Sequence, residues 1–118
     1  MFELSPHEDG GWTESVLYNF GNGSDGHGPK AGLIFDATGH LFGTTSSGGA
    51  YLNYGTVFEL SPSVGGGWTE TVLHSFGNGA DGGFPYYAGV VLDATGNLFG
   101  TTAVGGAFST GTVYEITR

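Results

Sequence analysis

The chain has 118 residues, enough for one domain or part of one, with eleven acidic and two basic residues and a formal net charge of −9. Lys30 and Arg118 alone cannot neutralise a run of phosphates, which makes nucleic acid a poor partner and excludes anionic membrane surfaces. There is no cysteine, hence no disulfide and no thiolate metal site, and nothing approaches the ~18 apolar residues of a membrane helix or the pattern of a signal peptide.

The chain opens on a strand-like FELSP at Phe2–Pro6, with Met1 placed directly on it, as expected of a piece of a longer array. The next segment, GGWTESVLYNFGNGSDG at Gly10–Gly26, alternates Trp12, Glu14, Val16, Tyr18 and Phe20 with smaller or more polar residues apart from Leu17. Period-2 alternation predicts a half-buried strand with one aromatic face. Ala31–Ala50 then reads AGLIFDATGHLFGTTSSGGA. Its run Gly32–Phe35 predicts a short strand buried on both faces. Asp36–Gly39 predicts a tight hairpin turn, Asp to bond amides further along and Gly for positive φ. Leu41–Thr45 is the returning strand.

All of this recurs. Gly66–Gly82 repeats Gly10–Gly26 at a shift of 56, Ala88–Ala107 repeats Ala31–Ala50 at a shift of 57, and the FELSP element returns at Thr56–Pro62 and Thr112–Thr117. Helix periodicity is missing; glycine interrupts every candidate window. Fixed self-similarity with four short strands per period predicts an all-β repeat architecture of four-stranded antiparallel blades, about two per chain, as in a β-propeller. A β-solenoid or packed sandwich is the alternative.

AGLIFDATGHLFGTTSSGG followed by TVFELSP and GGWTETVLHSF resembles the GloVer-type tandem repeat of bacterial secreted and surface proteins, over nearly the whole chain. More distantly, the same pattern is similar to NHL and SMP-30-like propeller blades. The resemblance implies an extracellular or cell-surface location, and makes Gly32–Asp36 and Gly89–Asp93 innermost strands. It makes Leu41–Thr45 and Leu98–Thr102 second, Val57–Leu60 and Val113–Ile116 third, and the Trp12 and Trp68 strands outermost. Residues 1–20 then form the outer hairpin of a split blade, 31–76 a complete blade, and 88–117 the other three strands of that split blade, all within one domain, 1–118. Trp12–Phe20 is expected to finish, by strand exchange between copies, the sheet begun by Ala88–Thr117, where Phe2–Pro6 and Val113–Thr117 compete for one slot. No catalytic residue set comes with the resemblance.

No motif for catalysis stands out: there is no nucleophile elbow, cysteine nucleophile or phosphate loop. Asp36 and Asp93 are the only acids for a channel-mouth enzyme, and read better as hairpin residues. His7, His27, His40 and His74 lack metal-ligand spacing, and no cofactor is implied. Asp25 and Asp81 sit on glycine-rich loops that resemble calcium-loop fragments, but each offers one carboxylate only; a turn role is expected. Thr44–Thr45 and Thr101–Thr102 read as β-propensity residues rather than channel hydroxyls. Trp12 and Trp68 are expected to cover the groove between blades. Tyr51, Tyr54, Tyr86, Tyr87 and Phe108 lie on or beside loops, where aromatic rings pack between repeats or stack on sugars. The expectation is a non-catalytic, self-assembling scaffold or adhesive module. Its partner would be a second copy of itself, in a trimeric or tetrameric ring or a fibre; the alternative is a carbohydrate-binding module that uses the loop aromatics together with Asp25 and Asp81.

Overall fold

A computed structural model describes residues 1–118 and contains no helix, so no helix is long and apolar enough to cross a membrane. Nine strands follow one another: β1 (Phe2–Pro6), β2 (Trp12–Val16), β3 (Ile34–Phe35), β4 (Leu41–Thr45), β5 (Thr56–Pro62), β6 (Trp68–Ser75), β7 (Val91–Leu92), β8 (Leu98–Thr102) and β9 (Thr112–Ile116). They form three antiparallel sheets in simple meander order: a hairpin β1-β2, a central sheet β3-β4-β5-β6, and a third sheet β7-β8-β9. Asp36 and Asp93 close the β3–β4 and β7–β8 turns. Each Oδ1 accepts from two amides, those of Thr38 and His40 or of Thr95 and Asn97, at 2.8–2.9 Å.

The central sheet is covered on both faces. Leu41, Phe58 and Leu60 on one side pack with Met1, Leu17, Tyr18, Phe20, Leu33 and Trp68, joining the sheet to the first hairpin. Phe42, Val57 and Phe76 on the other side pack with Val90, Leu98, Tyr114 and Ile116, joining it to the third sheet. The two clusters are the same interface used twice: Leu41, Phe58 and Leu60 are the repeat counterparts of Leu98, Tyr114 and Ile116. Gly43 permits the close packing, since a Cβ there would lie 2.7 Å from Leu33 and from Phe58 Cζ.

Two expectations need correction. The strands expected to be innermost, β3 and β7, are only two residues long and are not buried on both faces: Phe35 is 66 % and Val91 63 % exposed. Burial peaks instead on β4 and β5. The reason is cover. Phe35 lies beyond the reach of a two-stranded hairpin, and Val91 belongs to the outer face of the last sheet. The alternation along the outermost strand also breaks, because the pairing slips between Val57 and Phe58, leaving Leu73 unpaired between Val72 and His74. Such a bulge reverses which side chains face inward. Leu73 therefore joins one core; Leu17, whose amide donates to Met1 O while the Met1 amine donates to Tyr18 O, joins the other, whereas Trp12 is 64 % exposed and only Trp68 packs between sheets.

Candidate functional site

The threonine pairs form polar knots. Thr45 Oγ1 donates to Ser47 O at 3.0 Å, accepts from Thr56 N at 3.1 Å and lies 2.8 Å from the Thr56 hydroxyl, with Thr45 and Thr56 both buried. Thr102, Val104 and Thr112 repeat the arrangement. Thr44 donates instead across the sheet interface, to Ala88 O at 3.0 Å. These hydroxyls are consumed internally, a role that β-propensity alone does not capture.

Asp25 is buried and accepts from the Tyr18 hydroxyl at 3.0 Å and from the Gly21 and Asn22 amides. Asp81 accepts from Gly77 N at 3.0 Å and faces His74 Nε2 at 2.9 Å, because His74 stands where the first copy has Tyr18. Burial, and then the bond to Asp25, push the Tyr18 phenol up to about 12. Across the interface Glu70 feels the same carboxylate: burial first, then Asp25, raise it to about 7.

The two aspartate turns lie side by side around one groove of about 400 Å³ that also includes Arg118. Burial opposes the charge of Asp36, but bonds from the His40 amide and from Thr38 and Arg118 outweigh it and hold the carboxyl well below its usual range. The Asn97 amide leads the causes that hold Asp93 at about 2, over the opposing effect of burial and with help from Thr95. Carboxylates held in the ionised form and engaged by their own turns lack a proton to deliver near neutrality. His40 Nδ1 lies 2.8 Å from Glu59 Oε1 and 3.8 Å from Asp36.

The aromatic residues separate into a ladder and two outliers. Tyr54 packs on Phe84 with centroids 5.0 Å apart, Phe84 stacks on Tyr86 at 5.3 Å and 7°, and Tyr86 meets Tyr87 at 6.4 Å. Lys30 Nζ lies over both tyrosines, 5.2 Å from the Tyr86 centroid and 5.9 Å from that of Tyr87. Tyr54 also borders the core. Phe84 was not among the residues expected from sequence, although its neighbours Pro85 and Tyr86 mark a rigid aromatic segment. Phe84 and Tyr87 both hold positive φ, 52° and 55°, which is uncommon for bulky residues. Tyr51, on the same β4–β5 loop as Tyr54, and Phe108, on the β8–β9 loop, have no ring partner in the ladder; Phe108 is 88 % exposed. Asp25 and Asp81 lie in their turns, bonded as described.

The ends of the stack are its other notable surfaces. Phe2, Leu4, Trp12 and Val16 are exposed on the first hairpin, and Val91 and Val113 on the third sheet. Of their counterparts in the central sheet, Phe58, Leu60 and Val57 are fully buried, and Trp68, Val72 and Ile34 are half-buried. A family model described as the Gloeobacter/Verrucomicrobia repeat matches residues 1–118. No curated protein and no solved structure matches the chain.

Proposed function

From the premise that the chain belongs to the Gloeobacter/Verrucomicrobia repeat family, we propose that it is a non-catalytic structural module that assembles with copies of itself. The observation that carries this reading is the pair of incomplete ends: the first hairpin lacks counterparts of β3 and β4, the third sheet lacks one of β6, and each end exposes apolar residues at positions that the central sheet covers wholly or in part. Scattered apolar side chains on a surface need no explanation, but these form two continuous faces with known complements. One complete and two partial sheets per chain amount to about two blades, so a closed propeller of roughly six or eight blades takes three or four copies. Heterologous contacts that fail to close give a fibre instead. We place the module outside the cell or on its surface, as a scaffold or adhesive. Light scattering in dilute solution tests the reading: a closed oligomer or a fibre is expected, and a stable monomer at micromolar concentration overturns it.

A second reading, carbohydrate binding, is favoured by the exposed end of the aromatic ladder. Tyr87 is 78 % exposed, beside Tyr86 and below Lys30, and offers a flat apolar ring with a cation at its rim. A glycan array tests it: binding that disappears in Tyr87→Ala with assembly intact supports a lectin-like role, and an array without signal removes it.

A further inference from the structure

The third sheet stops one strand short of the central one, and its edge shows what would complete it. In the central sheet β5 pairs with β6, which follows it; β9, the counterpart of β5, has no partner on that side. Along this edge runs a groove of about 340 Å³ lined by His74, Phe76, Asp81, Val113, Tyr114 and Ile116, among others. Tyr114 lines this groove, while its hydroxyl lies over Gly100 on β8, buried without a hydrogen-bond partner.

We propose that this edge takes β2 of a second copy of the chain, in the register that β6 adopts on β5, so that two chains build one four-stranded sheet. The inference rests on the self-assembly proposed above and names the contact. Gly10–Phe20 differs from Gly66–Phe76 only at Ser15/Thr71, Tyr18/His74 and Asn19/Ser75. Transferring the β5–β6 register sets Tyr114 opposite the second copy's Val16, Glu115 opposite its Ser15, Ile116 opposite its Glu14 and Thr117 opposite its Thr13.

In its own chain β2 holds β1 in the same register: Phe2↔Val16, Glu3↔Ser15, Leu4↔Glu14, Ser5↔Thr13. The incoming β9 therefore replaces β1 pair for pair, and the ladder bonds lost equal those gained. Burial separates the two states. β1 has four of its five residues exposed and brings no other strand with it. β9 brings β7 and β8. It sets Val113, 80 % exposed, where Met1 packs on the Leu41, Phe58 and Leu60 cluster. It also carries two strands over Phe35 of the second copy, whose counterpart Leu92 is already covered in this way by the central sheet. Apolar area removed from water favours exchange. Loss of translational freedom opposes it and makes it depend on concentration.

The exchange also fills the polar part of the groove. Glu70 lies near Tyr18 and Asp25 at the interface inside the chain. Its counterpart, the second copy's Glu14, arrives beside His74 and Asp81. There an imidazole, 2.9 Å from Asp81, stands where the first copy has the phenol of Tyr18.

The cysteine-free chain suits disulfide trapping. Full-length Ser15→Cys/Glu115→Cys, oxidised mildly and run without reductant, is expected to give a ladder of covalent multimers. Glu3→Cys/Ser15→Cys is expected to give little intrachain bond, because β1 is displaced. An oligomer by light scattering in which residues 3 and 15 link and 15 and 115 do not overturns this contact but leaves self-assembly standing. A monomer without crosslinks overturns both. Should either variant lose the wild-type circular dichroism, Thr13→Cys/Thr117→Cys reports the same register and decides between the same outcomes.

Discussion

Thr45 shows how much a single hydroxyl carries in this repeat. It satisfies a carbonyl, an amide and a second hydroxyl in a site closed to water. Thr45→Val keeps the shape and leaves Thr56 N–H and the Ser47 carbonyl with one partner fewer. A buried donor without its partner costs roughly 1–3 kcal/mol, so a loss of that size is expected in urea unfolding, with an unchanged slope. Glu70 is the opposite case, a carboxyl that the fold holds in the wrong charge state. Its pKa is raised from 4.5 to about 7 by burial and then Asp25. The folded state thus binds the proton more tightly than the unfolded one, and the resulting stability is complete below pH 4.5 and disappears as the pH rises towards 7. Glu70→Gln removes that slope. Because Glu70 is partly solvated, about 1 kcal/mol of added stability at pH 8 is expected after screening, with little difference from wild type at pH 4. A variant no more stable at pH 8 than at pH 4, relative to wild type, contradicts the assigned environment.

At the scale of elements, equivalent strands occupy unequal positions, and mutation separates sequence from place. Phe58 on β5 and Phe2 on β1 are repeat counterparts, one fully buried between sheets and the other 61 % exposed. Phe58→Ala is expected to cost about 3–5 kcal/mol through lost burial and the cavity left behind. Phe2→Ala is expected to stay within about 0.5 kcal/mol. Thermal unfolding of the two variants side by side measures the contrast; equal losses contradict the end position of β1. The strands themselves were legible because glycine and the Asp-Ala-Thr-Gly turns punctuate them and because two copies confirm one another. Which faces are buried was not. The slip at Val57/Phe58 turns Leu73 inward, and nothing in the alternation of WTETVLHS announces it. The exposure of Phe35 and Val91 depends on whether a neighbouring sheet reaches them, a property of the stack and not of the apolar run. The aromatic ladder was half legible: Tyr54, Tyr86 and Tyr87 stood out as loop aromatics, but Phe84, which joins them, takes its position from a left-handed backbone that no short-range pattern specifies.

The whole molecule is a row of three sheets, 54 Å long and about 30 Å across, apolar at both ends and acidic overall. Those properties oppose one another in assembly. Each copy carries a formal net charge of −9, so bringing copies together concentrates like charge, whereas the end faces gain by leaving water. Repulsion between exposed charges is screened with a Debye length of ~30 Å at 0.01 M salt and ~8 Å at 0.15 M; apolar burial is not weakened by salt in this range and is strengthened by sulfate. The apparent association constant is therefore expected to rise between 10 and 150 mM sodium chloride, and to rise again in sodium sulfate at equal ionic strength. Sedimentation or light scattering at a fixed protein concentration reads both steps. An assembly held mainly by ion pairs responds in the opposite direction, dissociating as salt is added, and only Lys30 and Arg118 are available to form such pairs beyond the histidines. The sign of the salt dependence thus reports which force joins the copies, independently of which strands touch.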